Sequence, residues 1–318
     1  MLHPLKCQIL LCAGLCLKLL LSATAVAETI ESYGPFDIHY YGVGEVWTTA
    51  GITNQVAWAD TEKEDLHSAI DEWNRVIKNV NSRQIQLHVF WNELAPNILG
   101  SSASALWANG STIWTGSEAA WRDGNTSTPS WDTYIVYNKN FSWNFGAGIP
   151  EFFDYDFRSV VLHELGHSLG WLGSYDHTYD DFGYGGYGLT AFESFLVDSM
   201  GNSPFNGTSG SPENFNETDN PVYFNGANAT ALYGGLVPIY APTNYTPGSS
   251  LSHLDTATFP DYTMAHAIAN GATKRTLSDL EIAMMDDMGW EVIPEPSTTV
   301  MIALVCAAAF WIRRRFYE

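Results

Sequence analysis

At 318 residues, 46% of them apolar and 14% aromatic, the chain can bury the core of one large or two modest domains, which excludes intrinsic disorder as its main state. Its 14 basic and 35 acidic side chains leave a formal charge of −21, so nucleic acid would be repelled at long range and is not an expected partner. Cys7, Cys12, Cys16 and Cys306 all fall in apolar end segments, so residues 28–293 offer neither a disulfide framework nor a thiolate metal site.

Residues 1–27 read as a secretory signal: Lys6 lies in a basic start, an apolar run covers 9–17, and Ala25-Val26-Ala27 offers a small-residue cleavage site. The body that follows, 28–293, holds 9 basic and 33 acidic side chains, so the exported part is the more acidic. Residues 60–80 open with Asp60-Thr61-Glu62 and space Leu66, Ile70, Trp73, Val76 and Ile77 three and four apart. This predicts an amphipathic helix whose apolar stripe needs a sheet to cover. Residues 84–91 alternate polar with apolar and read as a strand, as do 111–115 and 133–138. A second helix is expected over 155–171. The stretch 173–250 is rich in Gly, Asn and Tyr, with strand-like pieces at 222–224 and 236–240. A last helix, over 277–288, starts at Ser278-Asp279 and stops at Gly289. No fixed-period repeat and no linker divides the body.

The second helix carries His163-Glu164-Leu165-Gly166-His167. Histidines at i and i+4 share one helical face, so both imidazoles can reach one Zn²⁺ at about 2.0–2.1 Å. Glu164 then sits beside the open coordination position, where a carboxylate can take a proton from water and pass it to a leaving amine. Val160, Val161, Leu162, Leu165 and Leu169 let a helix with three polar groups be buried.

Two histidines do not complete a catalytic zinc site, which wants three protein ligands. Gly170 follows the motif, but the position where a short metzincin motif carries its third histidine is Gly173. Glu193, Asp176 and His177 are candidates for the third ligand. The preferred candidate is His253, 86 residues after His167, because Met264 follows 11 residues later. A distant third histidine and then a methionine turn resembles the leishmanolysin-type metzincins, and the likeness runs from about Asp156 to Trp290. The resemblance implies an α+β zincin domain over 28–293, with a twisted mixed sheet, two main helices and a long Gly/Asn-rich insertion. It further implies a zinc-dependent endopeptidase in which His163, His167 and His253 bind Zn²⁺, Glu164 is the general base, and Met264 lies under the metal without bonding it. His266 stands where such proteins often carry proline and astacin-like ones a tyrosine; whether it contacts metal or oxyanion is open at this level. His39, His67 and His88 are expected in ordinary surface or core roles, and Asp176, Asp180 and Asp181 in a solvated acidic loop.

Pro294-Glu295-Pro296-Ser297 precedes an apolar run over 300–312 and Arg313-Arg314-Arg315. The run is short of the ~20 residues of a full span, but snorkelling arginines extend it and should stay cytoplasmic. The segment 294–318 resembles the PEP-CTERM sorting signal of Gram-negative bacteria. That likeness implies transient anchoring in the inner membrane, processing by an exosortase-type enzyme, and a product at the cell surface or outside the cell. The substrate expected is a peptide or protein; the rival reading is a non-catalytic surface or matrix protein that keeps the scaffold for binding.

Overall fold

The computed structural model describes residues 28–78, 83–110, 112–124, 130–174, 188–205 and 221–293. The signal segment 1–27, the tail 294–318, and Asp176, His177, Asp180 and Asp181 lie outside the described residues. Among the described residues seven strands have four or more residues: Thr29–Tyr33 (β1), Phe36–Tyr40 (β2), Ile85–Asn92 (β3), Gly100–Ser104 (β4), Leu106–Asn109 (β5), Thr112–Thr115 (β6) and Thr133–Asn138 (β7). Among the described residues five α-helices accompany them: Asp60–Val76 (α1), Gly116–Asp123 (α2), Phe157–Ser168 (α3), Ala227–Tyr233 (α4) and Asp279–Asp287 (α5). The protein is therefore a mixed α+β fold. Among the described residues no helix is long and apolar enough to cross a membrane.

The main sheet has the order β1-β2-β3-β7-β4. β2, β3 and β7 run parallel, while β1 and β4 pair antiparallel at the two edges. The two-residue period of a strand sorts its side chains onto two faces. Ile85, Leu87, Val89 and Trp91 of β3 join Phe36, Ile38, Ile135 and Tyr137 on the face against the helices, all at most 2% exposed. Phe90 and Val136 point the other way and pack with Tyr41 and Trp47. The apolar stripe of α1 (Leu66, Ile70, Trp73, Val76) meets Val160, Val161, Leu162 and Leu165 of α3 in the same core. Burying each of these large side chains contributes about 1.5–3 kcal/mol.

The helix boundaries have identifiable causes. α1 stops at Val76, before the expected 80, because Ile77 is extended and bridges Val292, while the Lys78 N–H donates to the Glu291 carbonyl. α3 starts two residues late because Tyr155–Asp156 pairs with Trp143–Asn144, leaving Asp156 to cap the Ser159 N–H at 3.0 Å. It ends where Gly170 turns left-handed, at φ 101°, a conformation in which glycine carries no steric penalty. The expected strand pieces at 222–224 and 236–240 are Tyr223–Phe224 and Val237–Pro238, which pair antiparallel, and the last helix is α5. β1, β2, β4, β5, α2 and α4 are additions to the expected set.

Candidate metal centre

α3 is held in a fixed position against α1. The Trp73 indole N–H donates to the Leu162 carbonyl at 3.0 Å, and Arg158 bonds the buried Asp65 carboxylate at 2.8 Å. One face of α3 therefore packs into the core while the other presents His163, Glu164 and His167 to a cleft of about 800 Å³.

The third histidine arrives from outside the helix. The Leu251 N–H donates to the Tyr240 carbonyl and the Tyr240 N–H to the His253 carbonyl, so the His253 segment lies along the chain at 239–240. On its other side the Leu254 N–H donates to the Met264 carbonyl at 2.9 Å, with a parallel bridge from Leu254 to Ala265. This ladder carries His253 across to α3. The three Nε2 atoms form a near-equilateral triangle: 3.1 Å from His163 to His167, 3.1 Å from His163 to His253, and 3.0 Å from His167 to His253.

Each Nδ1 faces a backbone carbonyl: Thr263 for His163 (2.7 Å), Trp171 for His167 (2.6 Å) and Ser249 for His253 (2.8 Å). A carbonyl only accepts, so each Nδ1 must be the N–H, and in the neutral ring each Nε2 is then a bare acceptor. Three lone pairs cannot hydrogen-bond one another; their convergence calls for a cation. Burial favours the neutral form: it pushes His163 down to about 3, aided by the charge of His167, and His167 down to about 4. Burial, then His167 and His163, hold His253 well below its ordinary range. Three neutral imidazoles with fixed tautomers suit Zn²⁺. The N···N separations lie a little under the ~3.3 Å of an ideal tetrahedral site with ~2.05 Å bonds.

Glu164 is nearly buried against β4, and a Cβ built on Gly100 would lie 2.7 Å from its Oε1. Burial pushes the carboxyl up to about 8, opposed by a hydrogen bond from the Ser102 backbone. A divalent cation at the three nitrogens would act in the opposite direction. Met264 is fully buried, and Gly166 exists to admit it: a Cβ there would meet Sδ at 2.5 Å. Glu281 of α5 accepts the Met264 N–H at 2.6 Å, which ties the methionine turn to the closing helix.

Of the other candidates, Glu193 is fully buried and spent elsewhere. It accepts from the Ser174 N–H and hydroxyl and from the Thr190 N–H. His266 lines the cleft wall, its ring stacked on Tyr240 at 3.6 Å and its Nδ1 2.6 Å from the Thr256 hydroxyl. Glu28, His39 and His88 also gather ligand atoms within 4.8 Å. The two rings there stack face to face at 4.1 Å and 14°, so their in-plane lone pairs run parallel, and the Tyr41 hydroxyl takes His88 Nδ1 at 2.8 Å. That group is a packed aromatic stack on the sheet.

Lys274, which lines the same cleft, has no motif to mark it in the sequence. Gly100 has one faint signal, a glycine inside a strand, which often marks close approach of another group. No protein-family model matches the chain, and no curated protein matches its sequence.

Proposed function

We propose that the protein is a zinc-dependent endopeptidase, a zincin-like domain of the leishmanolysin type. The observation that carries the reading is the convergence of three acceptor nitrogens beside a buried glutamate. His163, His167 and His253 would hold the ion. A bound Zn²⁺ supplies Lewis-acid polarisation of a carbonyl oxygen and makes water a stronger acid.

Glu164 is the proton carrier. It has no place among the three converging nitrogens, and its burial raises its proton affinity, which suits a base that must accept a proton from the attacking water and release it to the leaving amine. The Ser102 backbone and the side-chain-free Gly100 fix its position on β4. β4 is also an edge strand whose residues Gly100, Ser101 and Ser102 line the cleft. An extended peptide would add to that edge through main-chain hydrogen bonds, which give affinity without demanding one sequence. The end segments fit an exported enzyme, at the surface or outside of a Gram-negative cell.

Glu164→Gln tests the roles. It should leave about one zinc per chain while lowering hydrolysis of casein or a quenched peptide by about 10²–10⁴-fold. Loss of zinc in that variant, or wild-type hydrolysis that survives chelation, refutes the assignment. A zinc-loaded wild-type chain that cleaves no peptide favours the binding-protein reading.

A further inference from the structure

We propose that Lys274 makes the cleft select a substrate side chain bearing a carboxylate, so that cleavage falls beside aspartate or glutamate; this rests on the endopeptidase reading above. Lys274 is 7% exposed and lines the cleft. Its ammonium has three N–H donors, and among the described residues a single acceptor engages them, the Ala267 carbonyl at 2.8 Å. The carboxylates whose charge reaches it are Glu281 and Asp261. Glu281 is occupied by the Met264 and Ser278 N–H groups and the Ser278 hydroxyl. A buried ammonium with spare donors is completed by an anionic partner.

The surroundings favour such a partner. Although the chain has 35 acidic side chains, among the described residues the cleft lining contains one carboxylate, Glu164, beside Lys274 and four histidines. The overall negative field opposes an acidic peptide only over distance, and physiological salt screens it beyond about 8 Å. Close to the site the ammonium decides. Its position is defined: the Lys274 N–H donates to the Ser159 hydroxyl at 2.7 Å, and the Gly271 N–H to the Asp154 carbonyl at 2.9 Å. Lys274 thus lies at the start of α3, with Tyr155, edge-to-face with Phe141, and Ile268 lining the same cleft. These apolar neighbours lower the local dielectric and strengthen a charge pair formed there.

The test uses the zinc-loaded full chain and quenched peptides that differ only in Glu, Gln or Lys at one position, scanned along both sides of the scissile bond. At one position Glu should exceed Gln in kcat/KM by about tenfold or more, with Lys poorest. Lys274→Arg should keep that ratio and Lys274→Met should bring it to about one. In parallel, a labelled Glu peptide should bind Glu164→Gln, which does not turn it over, about tenfold tighter than the Gln peptide, and the double variant Glu164→Gln/Lys274→Met should lose that difference. Equal cleavage of Glu and Gln peptides by the wild type overturns the proposal and leaves the endopeptidase reading standing; this comparison needs no folded variant. A preference that survives in Lys274→Met also overturns it. If no peptide is cleaved, the endopeptidase reading fails, and equal binding of the two peptides then removes the Lys274 site as well.

Discussion

Gly100→Ala isolates the position of the base from its chemistry. The new Cβ would lie 2.7 Å from Glu164 Oε1, 3.0 Å from Cγ and 3.1 Å from Cδ, whereas ordinary contact begins near 3.4 Å. Something must move by about 0.5–1 Å. The strand backbone at Gly100 is not left-handed, so alanine itself fits there. The α3 backbone is pinned by the Trp73–Leu162 hydrogen bond and by four buried aliphatic side chains, so the Glu164 side chain is the part that yields. A misplacement of about 1 Å costs on the order of 100-fold in rate, or about 2.7 kcal/mol of transition-state stabilisation. The expected result is kcat/KM on a quenched peptide reduced about 100-fold, with zinc content near one per chain by metal analysis and a melting temperature close to wild type. Wild-type kcat/KM would refute the reasoning, because Glu164 would then not work from the position it holds against β4. Loss of zinc would refute it equally, since it would mean that α3 and His163 moved with the carboxylate.

Four further outcomes can be measured. His253→Ala should sharply lower zinc occupancy and activity together, because it removes one of three donors, whereas Met264→Leu, similar in volume, should keep zinc and cost less than about 1.5 kcal/mol of stability. Glu193→Ala should keep zinc yet lower the melting temperature: it leaves the buried Ser174 and Thr190 donors without their acceptor, a cost of about 1–3 kcal/mol. If the end segments act as the proposed signals, the intact mass of the protein recovered outside the cell should correspond to a start near Glu28 and loss of the segment beyond Ile293; retention of both apolar ends would refute this.

The parts of the site legible in the sequence are those fixed by local geometry. His163 and His167 share a face because α-helical residues four apart always do, so an expected helix alone brings them together. His253 stands 86 residues from His167, and its only mark in the sequence is the resemblance that it and Met264 bear to the leishmanolysin-type pattern. Lys274 has no mark in the sequence and Gly100 only a faint one, because each acquires its role from where another segment folds, the Ala267 carbonyl in one case and the Glu164 carboxylate in the other. In the fold, β3 and β7 could be read from their alternation. β1 and β2 could not: β1 is largely exposed, and both are short strands joined by the tight turn at Gly34, φ 55°. α2 and α4, at 8 and 7 residues, are too short to show a helical period. α2 relies instead on the Thr115–Glu118 capping box, and α4 on Asp287, which accepts from the Asn228 and Ala229 N–H groups.

Gly173 and the distant His253 are two sides of one arrangement. A Cβ at residue 173 would come within 2.9 Å of the Leu251 carbonyl oxygen, so the backbone of the His253 segment occupies the space that any side chain at 173 would need. That segment is itself strained. Leu251 is the one non-glycine residue with positive φ among the described residues, at 65°, a conformation that costs a bulky L-residue about 1–2 kcal/mol. The cost is offset by burial of Leu251 and by its N–H bond to the Tyr240 carbonyl at 2.9 Å. A side chain at 173 and the backbone of the His253 segment therefore compete for the same space. Residues 239–240 on one side and 264–265 on the other then flank the segment that carries His253.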